Sequence, residues 1–317
     1  FKKNLNADKE NFKQIKNNIN KYINDEQYNK SNKFSLKDLL IFKEKIFISF
    51  TEEILEDCWS TSLLYGNINY KKINFEKLFS SKECVNSIKN IDNEFEANQS
   101  GGRIVPFDNE NILLSVGDYR NRHLAQNENS IFGKLLKINF KNGDYKIISM
   151  GHRNPQGLYV DFDNNIILET EHGPAGGDEI NLIEIKKISN DNIQNYGWPV
   201  VSAGEHYGGR KEKNEKKYKK YPLHKSHKKF GFIPPLKSFV PSIGISEIIK
   251  IGNNKFVVSS LKDKSLFFFK LNDKNKVVNL ERLEVFERIR DLKFKDKKLY
   301  LFLEDTSSIG ILDLKEY

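Results

Sequence analysis

Long apolar runs are missing from this chain of 317 residues. The longest purely hydrophobic stretches are a few residues, as at 39–42 (LLIF), against the ~20 that a membrane-spanning helix needs. That excludes a membrane span. Cysteine is scarce too: Cys58 and Cys84 are the only two, too few for a disulfide framework or a four-thiolate metal site. Two buried thiols are expected, with one bridge between them as the alternative. The chain opens at Phe1 with neither a Met nor a charged-then-apolar leader, so it reads as a processed chain or a fragment.

The formal net charge is +9. Much of the excess sits in one stretch, 210–229 (RKEKNEKKYKKYPLHKSHKK), which carries Tyr218 and Tyr221 but no nucleic-acid-binding motif. Nucleic-acid modules interleave stacking aromatics with Lys and Arg on strands. The stretch therefore reads as part of a basic surface insertion over about 205–230, and no nucleic-acid partner is expected. His224 and His227 within it have zinc-like spacing but no partner ligands nearby, so they read as surface residues.

Residues 1–37 are rich in Lys and Asn, with weak helical spacing at Phe12, Ile15, Ile19 and Ile23. They read as a polar N-terminal arm or a divergent first-blade segment. From 38 to 317 the pattern changes to short apolar runs punctuated by turn residues, as all-β proteins show. One strand type recurs: Ile46-Phe47-Ile48, Ile112-Leu113-Leu114, Ile166-Ile167-Leu168, Phe256-Val257-Val258 and Leu299-Tyr300-Leu301, each preceded by an Asn, Asp or Lys turn. The shortest interval between them is one four-stranded blade in length; the longest holds two blades, or one blade with an insertion. A β-propeller is expected, with a β-sandwich as the alternative. Asp118, Glu171-His172-Gly173-Pro174, Lys262 and Glu304-Asp305 follow these strands. In a propeller such ends converge at one channel mouth and make a ligand site.

The densest run of turn and polar residues spans 151–199. It contains GHRNPQGL (151–158), EHGPAGGDEINLI (171–183) and NYGWP (195–199). Such strings suit a loop whose carbonyls and carboxylates hold a hard cation such as Ca²⁺, which takes six to eight oxygens. Upstream lie Gly101-Gly102-Arg103-Ile104, Val116-Gly117-Asp118, Ala125-Gln126 and Gly133-Lys134-Leu135-Leu136. Downstream lie Pro241-Ser242-Ile243, Ser260-Leu261-Lys262-Asp263-Lys264 and Glu287-Arg288-Ile289-Arg290-Asp291-Leu292. Together they resemble the soluble PQQ-dependent glucose and aldose sugar dehydrogenases, the glucose/sorbosone dehydrogenase family. The resemblance runs over about 38–315, is densest from 99 to 200, and is thin before 95.

The resemblance implies a six-bladed β-propeller of four-stranded antiparallel blades, with a divergent or incomplete first blade and a helical N-terminal arm. It implies oxidation of an aldose sugar or alcohol by hydride transfer to PQQ at the channel mouth. An external acceptor takes the electrons, and the protein is a monomer or homodimer, periplasmic or secreted. PQQ is a planar ortho-quinone with three carboxylates, so its pocket needs fixed cations. Arg153, Lys262, Arg288 and Arg290 fall at the family's cofactor-contacting positions, with Asn154 beside Arg153 and Gln126 upstream. The resemblance also implies a Ca²⁺ on the carbonyls of Gly173 and Pro174, acting as a Lewis acid on the quinone. A second, structural calcium would use Glu179 and the Tyr196 carbonyl. Read singly, Arg288 and Arg290 are surface ion-pair partners, Asp178 and Glu179 turn caps, Trp198 a core aromatic, and His152 a structural hydrogen-bonding residue.

One departure bears on chemistry. The family's catalytic His, four residues before the Arg of Gly-Gly-Arg, is Gln99 here, and no His lies between Cys84 and His123. A neutral amide cannot take a hydroxyl proton, whereas imidazole with a pKa near 6.5 can. Asp118 and His123 are the candidate substitute bases. The alternative is a catalytically silent propeller that binds PQQ, a protein or a glycan. Phe239 replaces the family's Trp before Pro-Ser-Ile, and Gly244-Ile245-Ser246-Glu247 replaces its Ala-Pro-Ser-Gly.

Overall fold

The computed structural model describes residues 15–30, 32–69, 71–189 and 193–314. Five sheets succeed one another along the chain, each an antiparallel meander. The first holds Leu36–Phe42, Lys45–Leu55, Cys58–Asn67 and Glu76–Phe79, with Val85–Asn86 also paired to its third strand. The second holds Gly101–Pro106, Asn111–Val116, Lys134–Asn139 and Tyr145–Met150, and Gln194–Asn195 adds a short parallel edge. The third runs Pro155–Asp161, Ile166–Glu171, Asp178–Glu184 and Lys237–Phe239. The fourth runs Ile245–Gly252, Lys255–Ser260, Ser265–Leu271 and Val277–Glu284, and the fifth Ile289–Lys295, Lys298–Leu303 and Ser308–Asp313. The first strands of successive sheets lie side by side, which makes the array a propeller.

The expected apolar triplets are the second strands of these sheets, and period-two alternation explains why they are apolar throughout. Ile112 and Leu114 pack toward the first sheet, while Leu113 between them packs toward the third. Ile166 and Leu168 face the fourth sheet and Ile167 the second. Phe256 and Val258 face the third sheet and Val257 the fifth. A strand buried on both faces needs no polar side.

The expectation of six blades is corrected to five. The long interval between Ile166 and Phe256 holds one sheet plus the insertion, not two blades. Among the described residues before 95, where the resemblance is thin, there is one blade-sized sheet and one two-stranded pair. Ile15, Ile19, Tyr22 and Ile23 of the arm pack into the core built on the first sheet. Over its described residues the arm is not one amphipathic helix: a short strand at Lys16–Asn17 pairs with Lys72–Ile73, and the α-helix there is Asp25–Lys30. Phe12 of the proposed helical spacing lies outside the described residues.

The two cysteines are corrected as well. Cys58 and Cys84 form a disulfide. Val85–Asn86 pairs back onto Cys58 and Trp59, so the sheet register brings residues 26 apart in sequence to a Cα–Cα distance of 5.3 Å.

At the channel centre Arg103 joins all five inner strands. Its guanidinium lies 2.9 Å from Glu247, 3.3 Å from Asp38 and 3.4 Å from Asp291, and its Nε donates to the Gln156 carbonyl at 2.9 Å. Asp38 also accepts from the Ile104 amide at 2.8 Å. Burial pushes the Asp38 carboxyl up, and pushes Glu247 well above the usual range beside Asp291. The three acids hold Arg103 firmly protonated against its own burial. Removing a buried charge partner costs about 3–5 kcal/mol, whereas exposed pairs are worth about 0–1 kcal/mol. Arg103→Met is therefore expected to lower the urea midpoint sharply, and Lys141→Met, at the exposed Lys141–Glu110 pair, to leave it nearly unchanged. Equal midpoints for the two variants would remove Arg103 from this role.

Candidate functional site

The inner strands begin, and the second strands end, around a cavity of about 1100 Å³ at one mouth of the channel. Its wall includes Arg153, Asn154, Gly173, Pro174, Lys262, Arg288 and Arg290, so motifs far apart in sequence meet there. Arg153 donates to the His172 carbonyl at 2.8 Å and packs over Trp198 at 5.5 Å. Asn154 accepts from the Gly101 amide at 3.2 Å and donates to the Asn98 carbonyl at 3.2 Å, which fixes the segment carrying Gln99. Arg288 and Arg290 share one carboxylate, Glu304, at 3.3 and 2.6 Å. Lys262 makes no ion pair among the described residues.

The loop that presents Gly173 and Pro174 is organised by Asp178. One carboxylate oxygen accepts from the Gly173 amide at 3.1 Å, and the other accepts from Gly244 and Ile245 at 2.7 and 3.0 Å. Gly173 admits no side chain, since a Cβ there would sit 2.0 Å from the Gly177 carbonyl oxygen. The turn-cap reading of Asp178 thus describes its contacts.

Gln99 is 5% exposed and lines the cavity. One orientation of its amide satisfies every neighbour: the oxygen accepts from Arg120 at 3.0 Å and Arg153 at 2.8 Å, and the nitrogen donates to Asp118 at 3.2 Å. Asp118 lies behind it, fully buried and outside the cavity wall. It accepts from the Arg120 amide at 2.8 Å and from Trp198 Nε1 at 2.7 Å. Burial raises its carboxyl pKa, opposed by the charges of Arg153 and Arg122. His123 does not line the cavity. Burial lowers its pKa, and its charged neighbours are Asp92, Lys220 and Glu83. Gln126 is outside the wall too, locked in a reciprocal amide pair with Asn195 and donating to the Trp198 carbonyl at 2.7 Å.

Beside the main cavity a small pocket is lined by Glu171, Glu179 and Tyr196. Burial, reinforced by the Glu171 charge, pushes Glu179 well above the usual carboxyl range. Glu169, Glu171 and His152 cluster behind it. His152 meets Ser149 at 2.8 Å and stacks on Tyr196 at 5.0 Å. His227 and His224 are not simple surface residues: His227 is buried 3.9 Å from Glu179, and His224 stacks on Phe230 at 3.9 Å. The insertion folds back on the body, and its front edge brings Tyr207 into the cavity wall.

A sequence profile of the glucose/sorbosone dehydrogenase family matches residues 42–312. The chain belongs to that family. It is 27% identical over 290 residues to aldose sugar dehydrogenase YliI of Escherichia coli, covering 83% of this chain and 71% of that protein. It is 30% identical over 131 residues to quinoprotein glucose dehydrogenase B of Acinetobacter calcoaceticus, covering 32% and 26% respectively. A match to an uncharacterized Synechocystis protein, 28% identical, covers 61% of this chain and spans half the length of that relative (50%). Among solved structures, a glucose dehydrogenase superimposes with a TM-score of 0.72 at 25% identity, covering 90% of this chain and 84% of that one. The PQQ-bound aldose sugar dehydrogenase of Streptomyces coelicolor shares the fold, with a TM-score of 0.58 at 19% identity, covering 81% and 69%.

Within this family member the reading of the sequence missed Arg120, Tyr207 and Lys37 as cavity residues. Arg120 sits in the VGDYR segment and its signal was present. Tyr207 and Lys37 belong to an insertion and to a first sheet without matching motifs. The Asp118–Trp198 bond ties the two motif loops together, and an unpaired buried acceptor costs about 1–3 kcal/mol. Trp198→Phe is expected to lose that much by denaturant unfolding. Trp59→Phe is expected to lose less, because its buried Nε1 has no acceptor. The reverse order would contradict the role of the bond.

Proposed function

We propose that this chain is a quinoprotein-type oxidoreductase that oxidises an aldose sugar or an alcohol, with PQQ and Ca²⁺ held in the cavity. The observation that carries the reading is the convergence of Arg153, Lys262, Arg288 and Arg290 with the Gly173–Pro174 backbone on one wall. The residues present fit such a group. Guanidinium forks match carboxylates bidentately, Lys262 has no counter-ion among the described residues, and Arg288 and Arg290 together exceed the one charge of Glu304. When bound, the quinone supplies a two-electron hydride acceptor, and a divalent cation on its carbonyl strengthens it. Glu179 and the Tyr196 carbonyl would hold a second, structural calcium; what supports this is that Glu179, Tyr196 and a second buried carboxylate, Glu171, line one small pocket.

Hydride removal from a carbinol carbon also requires a base for the hydroxyl proton. Gln99 stands in the wall with its oxygen engaged by two arginines and one N–H by Asp118, so only its second N–H is left to orient a substrate hydroxyl, and nothing on it takes the proton. Asp118 is one side chain behind, with its oxygens engaged. Turnover by the native chain is therefore slow, since a general base is worth about 10²–10⁴-fold. The same clamp on Gln99 favours the second reading, a propeller that binds PQQ and does not turn over. The Cys58–Cys84 disulfide supports a periplasmic or secreted location, since such bridges persist in oxidising compartments.

The test is turnover of an aldose panel by the full chain loaded with PQQ and Ca²⁺, with an artificial electron acceptor. Gln99→His is expected to raise kcat by about 10²–10⁴-fold. The gain should grow as pH rises through about 6.5, where the imidazole loses its proton. Inert native and Gln99→His proteins, both carrying PQQ, would establish the binding-only reading.

A further inference from the structure

The four cations assigned to the ligand come from the third, fourth and fifth sheets, so one side of the cavity has no assigned charge. Lys37, on the inner strand of the first sheet, lines that side. Its stem is laid across the second sheet by Gly102, which has a φ of +111°. A Cβ at that glycine would lie 2.3 Å from Lys37 Cβ and 2.7 Å from its Cγ. The Nζ reaches the Ala97 carbonyl only at 3.4 Å, and it has no ion-pair partner among the described residues. The neighbouring carboxylates are engaged elsewhere: Asp38 and Asp291 with Arg103, and Glu96 with the Asn98 amide at 3.2 Å.

We propose that Lys37 is a further anion-binding residue of the cavity, supplied by the first sheet, that pairs with a carboxylate of the bound ligand. The inference rests on the reading of that ligand as a polycarboxylate, PQQ, and adds a contact to it. Burial first, and then the Arg290 charge, lowers the Lys37 pKa to about 8, with Glu96 opposing. The amine of the empty cavity therefore loses its proton just above neutrality. An incoming carboxylate reverses the balance and raises the pKa, so binding takes up a proton above pH 8, and affinity falls as pH rises there. The same pairing leaves Lys37 protonated in the complex, which removes it as the base that position 99 lacks.

Calorimetric titration of the calcium-loaded full chain with PQQ at pH 8.5, in two buffers of different ionisation enthalpy, reads this proton directly. The native chain is expected to take up roughly three quarters of a proton through Lys37. Lys37→Met is expected to lose that uptake and to bind about tenfold or more weakly, the worth of one charge-assisted bond. Lys37→Arg, permanently charged, is expected to keep the affinity and lose the uptake, a pattern that a merely structural lysine would not give. Native affinity and uptake in Lys37→Met would overturn the inference alone. Absence of PQQ binding to the native chain would overturn it together with the cofactor reading.

Discussion

A single guanidinium holds the channel together. Arg103 reaches Asp38, Gln156, Glu247 and Asp291 from the second sheet, so one side chain touches the inner strands of all the others. The sheets pack on one another through apolar faces, which specify adjacency but tolerate sliding. The ionic cluster at the axis is directional and fixes where each inner strand begins. Because those beginnings form the cavity wall, the geometry of the site depends on the cluster beneath it. Glu247, held above its ordinary pKa by burial beside Asp291, lets the cluster keep three acids around one base.

Above that cluster the charge balance reverses. Arg120, Arg153, Lys262, Arg288, Arg290 and Lys37 face the cavity, and Glu304 and Glu96 offset only part of them. Like charges in a partly dry space repel; the Lys37 pKa is lowered first by burial and then by the Arg290 charge. An anionic ligand relieves this repulsion and gains from it, which is how a site can be strongly selective without a close steric fit. Gln99 fits the same logic from the other side: a neutral amide between two guanidiniums and a carboxylate satisfies all three without adding charge.

What the sequence disclosed follows from how local each feature is. The apolar triplets at 112–114, 166–168 and 256–258 identify strands, because alternation is a property of neighbouring residues. The motif loops at 151–158 and 171–183 identify the cavity wall, because turn chemistry is local too. The number of sheets was less legible, since an interval of chain does not say whether it holds a blade or an insertion. The Cys58–Cys84 pairing depended on the register of Val85–Asn86, and the burial of His227 on a loop folding back to Glu179. Lys37 was invisible for the same reason: only the strand crossing at Gly102 brings it to the cavity.

The central claim is that the cation-lined cavity takes PQQ through calcium. Titrating the calcium-loaded chain with PQQ while recording the quinone absorbance, with and without a calcium chelator, tests it most directly. The account predicts a saturable spectral change at one PQQ per chain that the chelator abolishes. A spectrum that stays that of free PQQ at every ratio would contradict it.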